Sequence, residues 1–255
     1  MSNAKVRLDK LLVERDLAPT RERAQSMILA GRVLVDDQKI EKPGAPIGPG
    51  SVIRLLGTDL RYVGRGGLKL EAALIHWGIA LTGRYCMDIG ASTGGFTDCM
   101  LQHGAARVLA VDTGYGQIAH SLRIDPRVEL RERTNARYLL PGSVPQGISF
   151  LAMDVSFISA TMVLPAVIAA IQSAPGQVRP VLADAVILVK PQFEAGREHI
   201  GKGGIVRDPE AHRLAIDRVR ACVAGLAATS TDLIDSPILG TEGNREFLLL
   251  ARFGS

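Results

Sequence analysis

From residue 85 onward the chain repeats one pattern: a short apolar run stops beside a charged residue, and a helical stretch follows. Tyr85–Ile89 carries Asp88 and leads into Gly90, Arg107–Val111 stops at Asp112, Val128–Arg131 offers a third run, Ile148–Met153 stops at Asp154, and Ala185–Val189 stops at Lys190 and Pro191. Helical spacing fills Phe96 to about His103, Ile158–Ile171 and Pro209–Ala224. Runs apolar along their whole length predict strands buried on both faces, and strands alternating with helices predict a mostly parallel sheet with helices on either side. Asp232–Pro237 and Glu246–Phe253 have no helix between them, which predicts an antiparallel hairpin at one edge. The expected class is therefore α/β.

The first residues do not follow this pattern. Leu8, Leu11 and Leu12 lie at helical spacing within Arg7–Arg15, Thr20 can cap a second helix over Arg21–Ala30, and Gly31 can end it. Arg32–Val35, the Asp36-Asp37 pair and a piece ending at Ile40 predict strand, tight turn and strand, with Ser51–Leu55 as a third strand. The result is a small α+β module over residues 1–60. Gly57–Gly67 is the expected joint, and its glycines would allow reorientation. Leu68–Trp77 is a leading helix within residues 61–84, and the large domain occupies 85–255.

Composition narrows the class. Of 255 residues 47% are hydrophobic, enough to bury a sizeable core, so long disorder is not expected. The net charge of +4 permits a nucleic-acid partner, and the placement of the charge matters more than its sum. Arg7, Lys10, Arg21, Arg23 and Arg32 concentrate on the small module, interleaved with Asp9, Glu14, Asp16 and Glu22. Arginines on a rigid helix pair suit RNA phosphates, and a solvated mixed surface is the plainer alternative. Cys86, Cys99 and Cys222 have no zinc-type spacing and read as reduced thiols. No metal site is expected. No signal-like segment opens the chain, and Met162–Ile171 is too short to cross a bilayer. A cytoplasmic protein with no membrane contact and no obligate protein partner is expected.

The chemistry concentrates at the strand ends. Asp88-Ile89-Gly90-Ala91-Ser92-Thr93-Gly94-Gly95-Phe96-Thr97 sits where a doubly wound sheet binds its cofactor. The usual dinucleotide spacing of three glycines is absent, and no Lys-Ser/Thr closes the loop as in a phosphate loop. An acid followed by glycines favours S-adenosylmethionine, a cofactor without a pyrophosphate. Asp112 can accept from ribose hydroxyls, and Asn135 can meet an adenine edge. Asp154 and Lys190 face the same crevice between apolar flanks, where an amine beside a carboxylate can do acid–base work.

These motifs resemble, over nearly the whole chain, the TlyA-type ribosomal RNA 2′-O-methyltransferases, members of which also carry the name hemolysin. Arg7–Leu12 and Gly31–Asp36 resemble that family's ribosomal-protein-four-like RNA-binding domain. Val63–Leu70, Asp88–Thr97, Val111–Gln117, Glu132–Arg137, Asp154–Ser159, Val189–Glu194 and Gly243–Phe247 resemble its FtsJ-like catalytic domain. The resemblance implies a Rossmann-like class I methyltransferase sheet with a small N-terminal RNA-binding domain. It implies methyl transfer from S-adenosylmethionine to a ribose, of cytidine, in ribosomal RNA or ribosomal subunits. It further implies a catalytic tetrad of Lys69, Asp154, Lys190 and Glu246. Cofactor contacts by resemblance fall on Gly90, Ser92, Thr93, Gly94, Gly95, Phe96, Asp112 and Asn135, and RNA contacts on Arg7, Lys10 and Arg21; the residues themselves add Asp88 at the cofactor's amino-acid end and Arg61 and Arg65, in the joint, along the RNA backbone. The chain's short tail resembles members that modify the large subunit, with the small subunit as a further target in longer ones. Three alternatives stay open: a small-molecule methyltransferase, a non-catalytic ribosome-binding factor, and a membrane-active hemolysin.

Overall fold

The computed structural model describes residues 5–18, 20–56, 61–173, 182–240 and 243–254. The chain divides into two compact units, Met1–Asp59 and Leu60–Ser255.

The small unit runs β1 (Val6–Arg7), α1 (Leu8–Glu14), α2 (Arg21–Leu29), β2 (Val33–Val35), β3 (Gln38–Lys39), β4 (Pro46–Ile47) and β5 (Ile53–Leu55). Thr20 caps α2 as its position predicts: its hydroxyl accepts from the Arg23 N–H at 3.2 Å. Asp36 and Asp37 both take positive φ, 51° and 63°, the twist that a two-residue hairpin between β2 and β3 requires. β5 adds to the free side of β2, giving an antiparallel sheet of order β3-β2-β5. The pairing of β1 with β4 is too short to show in the residue pattern. Leu8, Leu12, Ala24, Ile28 and Val33, all fully buried, give this unit a core of its own.

The large unit begins with α3 (Gly66–Trp77) and continues as β6 (Tyr85–Ile89), α4 (Gly95–Gln102), β7 (Arg107–Val111), α5 (His120–Arg123), β8 (Val128–Arg131), β9 (Ile148–Met153), α6 (Leu164–Gln172), β10 (Asp184–Val189), α7 (Pro191–Glu194), α8 (Pro209–Gly225), β11 (Ala228–Asp235) and β12 (Phe247–Phe253). Its seven strands order as β11-β12-β10-β9-β6-β7-β8. β6 to β10 are parallel, and β12 runs antiparallel between β10 and β11. Period-two alternation sends Met87, Leu109, Leu151 and Ile187 to one face, against α6 and α8. Cys86, Val108, Phe150 and Val186 go to the other, against α3 and α4.

Three expectations need correction. The helix predicted from Ile158 starts later: a 3-10 turn at Ala160–Met162 precedes α6. Ser159 caps that turn and Pro165, lacking an N–H, suits the first turn of α6, so the helix cannot extend back through them. The hairpin's first strand starts at Ala228, because the polar run Thr229–Thr231 lies on an exposed edge strand that hydrophobic periodicity does not register. The expected joint lies partly outside the described residues, at 57–60. Its later glycines are packed within the large unit. A Cβ on Gly67 would lie 2.3 Å from Cγ of buried Tyr62, and one on Gly64 would lie 2.6 Å from the Thr93 hydroxyl. These glycines serve close approach of backbone and ring.

Substituting Gly67→Ala therefore overpacks the seam between α3 and Tyr62. We expect a loss of about 1–3 kcal/mol in the stability of the large unit, read as a lower urea midpoint at unchanged m-value.

Candidate active site

The parallel register brings the carboxyl ends of β6, β7, β9 and β10 to one edge of the sheet. β7 leaves β6 on one side and β9 joins it on the other, so the crevice between β6 and β9 is the topological switch point. Gly90, with φ 84°, turns the chain out of β6 so tightly that a Cβ there would meet the Asp154 carbonyl at 2.2 Å. Two cavities open at this edge and share Gly90, Ser92, Asp154 and Ser156.

The first cavity, of about 390 Å³, is lined on one side by Gly90, Ser92, Thr93, Gly95 and Phe96. On the other it is lined by Arg65, Lys69, Asp154, Lys190 and Glu246. The four tetrad candidates come from separate elements. Asp154 follows β9 and Lys190 follows β10, and the Lys190 ammonium lies 2.7 Å from Asp154 Oδ1. That contact is an ion pair and not an aligned hydrogen bond, since Oδ1 accepts no well-directed donor. The same Nζ donates to Ser156 Oγ at 2.7 Å. Antiparallel pairing of Val189 with Phe247 sets Glu246 beside Lys190. Glu246 Oε2 accepts from Lys69 Nζ on α3 at 2.5 Å. Both lysines and Glu246 are buried, so each charge depends on its partner for what water would otherwise supply.

The second cavity, of about 470 Å³, includes Asp112, Gly114, Gln117, Asn135 and Phe157 in its wall. Asp112 is held in place by the loop it faces. Its Oδ2 accepts from Ser92 N–H at 2.7 Å and its Oδ1 from Gly114 N–H at 2.6 Å. Each carboxylate oxygen has lone-pair capacity for a further donor. Asn135 caps the 3-10 turn at Ala136–Tyr138 through its Oδ1.

Asp88 and Gly94 line neither cavity. Asp88 is fully buried beneath the loop, accepts from Thr97 Oγ1 at 2.6 Å, and has an Oδ1 without a partner among the described residues. Burial pushes its carboxyl up to about 7. Gly94 takes φ 96° as the N-cap of α4, where a Cβ would meet Leu122 at 2.3 Å. Asp88 and Gly94 shape the loop from below.

The glycine loop, Asp112 at the next strand end and the buried acid under the loop together fit S-adenosylmethionine. Gly90 and Gly95 line the first cavity, and Asp112 lines the second.

Residue patterns singled out neither Ser156 nor Glu194. Ser156 shares Lys190 with Asp154, and a polar residue two places beyond a strand-end acid was the available signal. Glu194 is buried, and desolvation raises its pKa. Its carboxylate accepts from Ala160 N–H at 2.6 Å and Ser159 Oγ at 2.5 Å, tying the helix after Lys190 to the loop after Asp154. Phe157 in that loop is 93% exposed with φ 65°, an outlier for a bulky residue, and its ring lies 5.5 Å from that of Phe193.

The expected RNA contacts divide. Arg65 lines the first cavity, and Arg61 pairs with Glu71. Lys10 is exposed on the small unit, where Arg7 and Arg21 both bond to Asp9. Among the described residues no group of acidic, His or Cys side chains could hold a metal, and no helix is long and apolar enough to cross a membrane.

Comparison with known proteins agrees with this architecture. The model of the FtsJ-like methyltransferase family matches residues 62–253, and that of the S4 domain matches residues 6–53. The YqxC protein of Bacillus subtilis is 47% identical over 98% of this chain and 86% of its own length. TlyA of Mycobacterium tuberculosis, a 16S/23S rRNA (cytidine-2′-O)-methyltransferase, is 41% identical over 97% of this chain and 90% of its own. A Streptococcus thermophilus protein whose solved structure bears a hemolysin name superposes with a TM-score of 0.69 at 41% identity, covering 100% of this chain and 90% of that one. The chain belongs to the TlyA-type rRNA 2′-O-methyltransferase family, in which an S4 domain precedes an FtsJ-like catalytic domain.

Proposed function

We propose that this chain methylates the 2′-hydroxyl of a cytidine ribose in ribosomal RNA, with Lys69, Asp154, Lys190 and Glu246 as its catalytic group. The observation that carries this reading is their convergence on the wall of the first cavity, with Lys190 Nζ 2.7 Å from both Asp154 Oδ1 and Ser156 Oγ. S-adenosylmethionine, when bound, supplies an electrophilic methyl on a positively charged sulfur, so the chain need only present and deprotonate the nucleophile.

Gly90, Ser92, Thr93, Gly95 and Phe96 would hold the amino-acid end of the cofactor, Asp112 its ribose and Asn135 its adenine edge. Asp88 and Gly94 would set the loop's shape. The ribose hydroxyl of the substrate would lie against Lys190 Nζ. The hydroxyl proton would pass to the Lys190–Asp154 pair: a proton of Nζ would move to Asp154 Oδ1, and the lone pair this frees on Nζ would take the hydroxyl proton, leaving the ribose oxygen as the nucleophile. Ser156 fixes the direction of Nζ. Lys69, paired with Glu246, holds the charge balance of the wall. Three cations and two carboxylates line this cavity, and the positive excess suits a ribose that arrives with a phosphodiester attached.

Phe157 and Phe193, beside Lys190 at a third opening, offer ring faces on which a base turned out of its stack can rest. Residues 1–60 would dock on RNA through Arg7, Lys10 and Arg21. Residues 61–84 would join that domain to the catalytic sheet at 85–255, with Arg61 and Arg65 following the RNA backbone. Such contacts position the substrate without specifying sequence. Ribosomal RNA as substrate argues for a cytoplasmic site of action, and the three free cysteines accord with it.

The direct test is transfer of tritiated methyl from S-adenosylmethionine to separated ribosomal subunits, followed by mapping of the labelled nucleotide. Label on a cytidine ribose of the large-subunit RNA is expected, label on the small subunit as well would widen the target, and no label on either would end the reading. Lys190→Ala should lower single-turnover methyl transfer by at least about 100-fold, with cofactor and RNA affinities near those of the parent. A rate within a few-fold of the parent would remove Lys190 from catalysis. Asp112→Ala should weaken S-adenosylmethionine binding about tenfold or more by calorimetry, and unchanged affinity would displace the ribose from this strand end.

A further inference from the structure

The RNA-docking reading of the small unit rests on exposed arginines, yet two of them are bound to a carboxylate that no solvent reaches. Asp9, on α1, is 0% exposed. Its Oδ1 accepts from Arg7 Nε at 3.0 Å and from the Lys10 N–H at 3.0 Å. Its Oδ2 accepts from Arg7 Nη2 at 2.8 Å, Arg21 Nε at 2.9 Å and Gln25 Nε2 at 2.9 Å. The hydrogen bond from Arg7 is foremost in holding this carboxyl well below the usual carboxylate range.

The donors come from three places that the fold brings together. Arg7 ends β1, Arg21 opens α2, and Gln25 lies one helical turn further along α2. Gly44 leaves room for the assembly: a Cβ there would sit 3.0 Å from Arg7 Nη1. The side chains of Arg7 and Arg21 are nevertheless 48% and 47% exposed. A guanidinium has five N–H donors. Arg7 uses two of them on Asp9 and Arg21 uses one. Two cations are thus fixed through one shared oxygen, with guanidinium surface still turned to solvent.

We propose that Asp9 is a positioning residue for RNA binding: it holds Arg7 and Arg21 as a preformed pair that receives a backbone phosphate of ribosomal RNA. The inference rests on the docking role given to these arginines above. Charge counting predicts the opposite sign for its test. Asp9 carries a negative charge next to two cations, so a site that worked by charge alone would bind a polyanion more tightly without it. A site that works by preorganisation loses affinity when its arginines are released.

The test measures binding of the full chain to purified large ribosomal subunits across a salt series, with Asp9→Asn, Arg7→Ala/Arg21→Ala and the triple variant. We expect Arg7→Ala/Arg21→Ala to weaken binding. We expect Asp9→Asn to weaken it about fivefold although net charge rises by one, and to change it less than about twofold when both arginines are already alanine. Calorimetric binding of S-adenosylmethionine checks that the large unit is intact. Unchanged or tighter binding by Asp9→Asn overturns the proposal, as does an equal loss in both backgrounds, which assigns Asp9 to the fold. Full affinity in Arg7→Ala/Arg21→Ala refutes the docking role itself, a result separate from the response to Asp9→Asn alone. Should Asp9→Asn fail to fold, Gly44→Ala keeps the carboxylate and crowds Arg7. Weaker subunit binding by that variant is expected, and unchanged binding overturns the proposal.

Discussion

Four ionisable side chains meet in this protein because one sheet register brings them together. Parallel pairing of β9 with β10 sets Asp154 and Lys190 side by side, and antiparallel entry of β12 returns Glu246 to the same edge. A parallel seventh strand would begin at the opposite edge and carry Glu246 away. The final hairpin thus completes the chemical edge of the sheet as well as its hydrogen bonding. Lys69 enters from α3, which packs on the face that carries Phe150 and Val186.

Burial makes the arrangement unforgiving. A lone ammonium or carboxylate at this depth would cost several kcal/mol relative to water, and removing one partner leaves the other in that state. The two ion pairs are therefore linked to the fold on either side of the cavity. Glu194 extends the same logic: it holds no substrate-facing position, but its two hydrogen bonds keep the loop after β9 against the helix after β10. In the small unit Asp9 gathers cations around a buried anion by the same physics.

The sequence was most legible where one residue carries one constraint. Short apolar runs marked every strand from β6 to β10 to within a residue, most clearly in β7, β9 and β10, where the inner strands are buried on both faces. Thr20 and Gly31 marked the ends of α2 through capping and a positive φ. Legibility failed where a residue answers to neighbours far along the chain. Asp88 reads as a cofactor ligand because it stands in the loop motif, but its side chain points under the loop to Thr97. Ser156 and Glu194 have unremarkable local settings, and their roles exist only once β9 and β10 are adjacent. The glycines at 64 and 67 read as a swivel, whereas Tyr62 and Thr93 occupy the space their missing side chains leave. The polar edge strand β11 lies outside the reach of hydrophobic periodicity for the same reason: its environment on one side is water.

The two cavities have a common floor of Gly90, Ser92, Asp154 and Ser156. These shared residues lie at both the Asp112-side cavity and the charged one, so a single molecule lying over them would reach into both. An adenosine fragment on the Asp112 side, joined over Gly90 to a group facing Lys190, would occupy the two compartments at once. Its linker would have to pass over the Gly90 backbone and the side chains of Ser92, Asp154 and Ser156. Selectivity among enzymes with a similar Asp112-side cavity would then come from the far end, where Arg65, Lys69, Lys190 and Glu246 line the first cavity.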